Sequence, residues 1–192
     1  MKGIVFREFI TMVETQFSLE TADAIIADST LATGGAYTTV GTYPHEEMVE
    51  LVSHLSTRTA IAIPDLLRAF GHYLFQRFTV IHADYITDHT SALSVLRMLD
   101  GHIHAEVRKL YSDAEVRKLY SDAELPSFDH EEQDDGSLVL IYRSRRALAD
   151  LAEGLLQGCI AHFNAPMQIK RKDLPSDDGA HTRFTLSRPP ID

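Results

Sequence analysis

His104 and the segment Tyr142-Arg143-Ser144-Arg145-Arg146, some 38 residues further on, carry the residue types in this chain best suited to chemistry. A neutral imidazole is a good axial base for iron. Tyr142, Ser144 and Arg146 offer two hydroxyls and a guanidinium, a donor set that suits a pair of carboxylates. Haem has both needs, an axial base for its iron and partners for its two propionates. The coincidence makes a haem-based site the sharpest chemical reading of the sequence.

The elements that must position these residues are readable from periodicity. Leu93, Leu96, Leu99, Ile103, Val107 and Leu110 form one stripe, which predicts a helix from Ser91 to Tyr111 carrying His104. Ser137 to Tyr142 reads as a strand rich in branched and aromatic residues, delivering Tyr142 to its end. Residues 145–163 return to helical spacing through Leu148, Leu151, Leu155 and Ile160. Further helices are expected over 4–17, 19–29, the stretch after Tyr43-Pro44 and the stretch from Ile63-Pro64, with a break at Gly34-Gly35. The stretch from Pro126 to Gly136 reads as polar and turn-rich, and 167–170 and 181–186 alternate like strands. Helices first, then strands around a helix, is an α+β architecture.

Composition narrows the function. A net charge of −10 on 192 residues leaves no basic face to meet phosphates, so nucleic acid is not an expected partner. Lys170-Arg171-Lys172 is too short a run to change that, and reads as a solvated loop or strand end. Cys159 is the only cysteine, which rules out an intrachain disulfide or a multi-cysteine metal site. The first residues meet charge too soon for a signal peptide or a membrane span, and a cytoplasmic protein is expected. His102 and His104 lie about 200° apart on a helix and cannot share one ion. No Ser-His-Asp, paired-carboxylate or phosphate-loop arrangement stands out, so no enzymatic activity is expected.

One feature is unusual. Ala105–Asp113 (AEVRKLYSD) is repeated without a gap as Ala114–Asp122. Nine residues advance a helix by about 13.5 Å and leave it about half a turn out of phase. The two copies cannot show one face in a single unbroken helix, so a break or bulge is expected there.

Taken together, several segments resemble the haem-nitric oxide/oxygen binding (H-NOX) family. They are Met1-Lys2-Gly3-Ile4, His104 followed by Glu106 to Tyr111, Leu125-Pro126-Ser127-Phe128, Tyr142-x-Ser144-x-Arg146, and Ala152 to Gly158. The likeness spans the whole chain and is to stand-alone bacterial members, similar to the sensor domain of soluble guanylate cyclase. It implies a single domain, with a distal helical lobe over 1–62 and a proximal lobe with an antiparallel sheet over 63–192, enclosing haem b. It implies that His104 is the proximal iron ligand and that Tyr142, Ser144 and Arg146 bind the propionates. Phe9, Leu148 and Leu151 would line the cofactor pocket. Oxygen-binding members carry a tyrosine where this chain has Leu151. An apolar distal wall offers bound O₂ no donor, whereas NO binds ferrous haem without one. The resemblance thus implies a nitric oxide sensor that discriminates against O₂, with CO as a further ligand. NO would weaken the bond to His104, and the relaxed lobes would be read by a histidine kinase or a cyclic-di-GMP enzyme. The chain departs from the family in the nine extra residues between His104 and Tyr142. The alternative is therefore a haem-free regulatory adaptor that keeps the fold.

Overall fold

The computed structural model describes residues 1–81, 83–87, 89–98, 126–177 and 179–189. The first half is helical. Helix α1 (Gly3–Gln16) buries Phe6, Phe9, Met12 and Val13 at the three- and four-residue spacing that makes one stripe. Ser18 caps α2 (Leu19–Asp28), its hydroxyl accepting from the Thr21 N–H at 3.0 Å. Gly34 and Gly35 then take φ of 61° and 80°, which is the left-handed turn their lack of a Cβ permits. Helix α3 (His45–Thr59) follows Pro44 and turns Met48, Leu51, Val52 and Leu55 inward. The nineteen-residue α4 (Ile63–Ile81) buries Leu66, Leu67, Phe70, Leu74 and Phe75. Two short helices follow, α5 (Ala83–Thr87) and α6 (Ala92–Leu96), the second closed by a capping box between Ser91 and Ser94.

The second half is a four-stranded antiparallel sheet with one helix. Strands β1 (Ser127–Glu132) and β2 (Leu138–Ser144) form a hairpin. Helix α7 (Ala149–His162) leads to β3 (Gln168–Asp173) and β4 (Ala180–Ser187), and the strand order is β1-β2-β4-β3. The α+β expectation holds, with helices first and strands arranged around α7. Leu138, Leu140 and Tyr142 of β2 face Phe184 and Leu186 of β4 and the apolar side of α7, forming one core. A second core gathers α1 to α4 with Leu148 and Leu151. Each fully buried Phe or Leu of these cores contributes about 1.5–3 kcal/mol of transfer free energy.

Two sequence expectations need adjustment. Residues 127–132 form an edge strand, not a turn-rich loop; only Phe128 of β1 is buried, so polar Asp129 to Glu132 conceal the pattern. Polar and charged side chains are what an exposed sheet edge carries. Of the helix expected over 91–111, α6 covers Ala92–Leu96 and a turn follows at 97–98. His104, the remainder of that stripe and both copies of the nine-residue repeat lie outside the described residues.

Helices α4 and α7 approach backbone to backbone. A Cβ on Gly71 would sit 2.3 Å from the Leu151 carbonyl oxygen, and one on Gly154 would sit 2.1 Å from that of Arg68. Both distances are far inside van der Waals contact, so glycine at these two positions sets how near α7 comes to α4.

Candidate functional site

The polar trio lies where β2 ends and α7 begins. Tyr142 points to the core side of β2, is only 3% exposed, and packs its ring on Phe128 at 5.1 Å between centroids. Burial raises its phenol pKa, opposed by a hydrogen bond with the Ser144 side chain and by the charge of Arg146. The Ser144 hydroxyl oxygen also accepts the Arg146 backbone N–H at 3.1 Å, which bends the chain out of the strand. Arg146 is half-buried. It lies within electrostatic reach of both Tyr142 and the Met1 amine, whose pKa is pushed down to about 5 by burial, then by Arg146 and Lys2.

The donor set fits an anionic group. Among the described residues no carboxylate lies within ion-pair distance of Arg146, whereas Arg58, Arg68, Arg77, Arg97, Arg143 and Arg171 all have one. A guanidinium without an acid, beside a buried phenol and a hydroxyl, matches two carboxylates in charge and hydrogen-bonding sense.

The apolar trio sits one short step along the chain. Leu148 caps α7 with an N–H that reaches the Arg146 carbonyl at 2.8 Å, and Leu151 lies in the helix's first turn. Both are buried in the same cluster as Phe9, which is wholly inaccessible and meets Phe70 edge-on at 5.1 Å. Phe9, Leu148 and Leu151 thus share one buried cluster, Tyr142, Ser144 and Arg146 lie within one short segment, and His104 lies outside the described residues.

Residues not singled out from the sequence hold this geometry. Asp150, in the first turn of α7, and Glu153, in the next, take Arg68 from α4 and Arg171 from β3. The Arg68 and Arg171 contacts to Asp150 are 2.6 and 2.8 Å, and Arg171 reaches Glu153 at 3.1 Å. Burial works against the charged form of Arg171, yet the hydrogen bonds it donates to Asp173, Glu153 and Asp150 outweigh that and raise its pKa. Acids in a first helical turn also suit the helix dipole. This network pins the turn that carries Leu148 and Leu151 to two other elements. Its sequence signal was faint, since Arg68 and Arg171 are distant from Asp150 along the chain. An open cleft of about 470 Å³ lies elsewhere, lined by Gln157, Ile160, Asn164, Met167 and Ile169 among others.

Comparison with known proteins decides the family. A haem-NO-binding family model matches residues 2–171. The chain belongs to the H-NOX family. Its fold is similar to the Fe(II) unliganded H-NOX protein from K. algicida, at 34% identity and a TM-score of 0.81, covering 100% of this chain and 98% of that one. It is similar also to the IWP-051-bound H-NOX from Shewanella woodyi in the Fe(II)CO state, at 33% identity and a TM-score of 0.78, covering 99% and 95%. An H-NOX protein from S. oneidensis in the Fe(II)NO state matches at 24% identity and a TM-score of 0.76, a likeness of fold. No curated protein sequence matches. H-NOX domains form a family of haem-based gas sensors, and the trio at the end of β2 is suited to that cofactor's acidic edge. Among the described residues no group of three or more His, Cys, Asp or Glu side chains is placed to hold a metal ion, and no helix is long and apolar enough to cross a membrane.

Proposed function

We propose that this H-NOX chain is a nitric oxide sensor that excludes O₂ and reports to a separate signalling protein in the cytoplasm. The observation that carries the reading is the bend at Ser144 to Leu148, which joins the polar trio to the start of the helix bearing Leu148 and Leu151. Tyr142, Ser144 and Arg146 supply an anion cradle; Leu148, Leu151 and Phe9 supply a wall without a hydrogen-bond donor. Ferrous haem b supplies the iron that NO or CO binds. In this reading Arg146 and the two hydroxyls hold the propionates, His104 is the proximal base, and the apolar wall denies O₂ the polar contact it needs. Residues 1–62 act as the distal lobe and 63–192 as the proximal lobe. With haem held by these residues, His104 would be the group whose hold on the iron biases a two-state packing of one lobe against the other. The output passes to a histidine kinase or a cyclic-di-GMP enzyme.

The test is the visible spectrum of the reduced, haem-loaded protein before and after NO, with O₂ in parallel. A Soret band that moves with NO and stays in place under O₂ is the expected result. His104→Gly should lose axial ligation and regain it with added imidazole; an unchanged ferrous spectrum in that variant would remove His104 from the assignment. Failure to take up haem even on reconstitution would replace the reading with the haem-free adaptor.

A further inference from the structure

The sheet has one face against the core and one facing out. Because Leu138, Leu140 and Tyr142 point inward, Val139 and Ile141 alternate to the other face, where Val139 is itself only 3% exposed beneath its neighbours and Ile141 is half-buried. Register then places whole rows on that face. One row runs Asp129, Ile141, Arg183, Lys172 across β1, β2, β4 and β3, and the next runs Glu131, Val139, Thr185, Lys170. All five charged residues of these rows are exposed. The face is therefore acidic at the β1 edge and basic at the β4 and β3 edge, with Val139 and Ile141 on β2 between them.

Among the described residues this charge is left unbalanced. Asp129 pairs with Arg143, but Glu131, Lys170, Lys172 and Arg183 have no ion-pair partner among the described residues. Lys172 and Arg183 stand directly opposite one another, a like-charge pair that disfavours the sheet. On a protein with 28 acids and 18 lysines and arginines, three cations left together call for an external acid.

We propose that this outer face pairs with the same face of a second copy of the chain. A two-fold axis parallel to the strands, midway between β2 and β4, lays β1 of each copy over β3 of the other. Rows then stay in step, so Glu131 meets Lys170 of the second copy and Asp129 meets Lys172. Such self-complementarity is the requirement of an isologous interface. Four strands about 4.8 Å apart and six to eight residues long give a footprint of roughly 400 Å² per copy, half that of a standard stable interface. The dimer is accordingly weak, concentration-dependent and salt-sensitive. The inference is independent of which gas the protein senses.

The experiment is sedimentation velocity on the full chain from about 1 to 300 μM, at about 20 mM and about 500 mM salt. Wild type should self-associate at low salt and dissociate at high salt. Glu131→Lys and Lys170→Glu should each weaken association by roughly tenfold or more, with circular dichroism showing the fold intact. The double variant, and an equimolar mixture of the two single variants, should both recover it. Glu131 and Lys170 lie three strand spacings apart within one chain, about 14 Å, so recovery reports a contact between copies. A wild type that stays monomeric at low salt and high concentration overturns the proposal. So does a double variant no better than the singles. Binding of an acidic protein that Lys170→Glu abolishes, while the chain alone stays monomeric, overturns it in favour of a different partner.

Discussion

Arg146 is the residue on which the cofactor reading turns, because its charge has no acid to answer it among the described residues. Truncation to alanine should cost haem binding roughly 1.5–3 kcal/mol, the usual worth of a hydrogen bond to a charged group. That corresponds to roughly ten- to 150-fold faster loss of haem, measured by transfer to excess apomyoglobin. Arg146→Lys should fall between, since an ammonium keeps the charge and loses the planar fork. Cys159 shows the opposite logic, a group kept inert by its surroundings. It is fully buried, and burial pushes its thiol pKa up to about 12 from 9.0. Folding favours the protonated thiol, so this contribution is intact below about pH 9 and is lost as pH rises from there towards 12. At pH 8 the native protein should alkylate far more slowly than the unfolded chain, read by mass after iodoacetamide. Equal rates would show that the thiol is reached without unfolding.

At the scale of elements, the α4–α7 contact decides where Leu151 sits. Gly154→Ala places a methyl 2.1 Å from the Arg68 carbonyl oxygen, and the neighbouring atom is backbone, which cannot swing aside. The helices must separate, at about 1–3 kcal/mol, as for other overpacked sites. A lowered urea midpoint with unchanged slope is the expected result. The separation also strains the Arg68–Asp150 ion pair, so the same variant should disturb the Leu148 and Leu151 wall. Neither glycine announced this role in the sequence. A glycine inside a helical pattern is consistent with many causes, and the distance to the opposing backbone exists only once both helices are packed.

For the whole molecule, the tandem AEVRKLYSD copies are the open variable. They add nine residues between His104 and Tyr142, relative to the family pattern the chain resembles. Deleting one copy should preserve or raise haem affinity if the extra residues disturb the proximal helix. The check is haem titration of the deletion variant against the full chain. A collapse of binding would instead make the added turns part of the haem lobe. The ion network of Arg68, Asp150, Glu153 and Arg171 bears on the same scale, since it joins α4, α7 and β3 into one frame that either form of the insertion must fit.

The sequence alone determined the helical half, because α1 to α4 each bury one stripe and that stripe is a local, periodic property. It determined the family too, through the order and spacing of His104, Tyr142, Ser144, Arg146 and the flanking segments. It also marked β2, β3 and β4, whose alternation is visible within six to eight residues. Only the tertiary structure decided the rest. Strand β1 was hidden because an edge strand owes its existence to the ladder with β2 and needs only Phe128 inward. The unanswered charge on Arg146, the Gly71 and Gly154 close approach and the polarised outer face all depend on distances between segments far apart in the chain. Periodicity records which side of an element is apolar, whereas register and packing decide what that side meets.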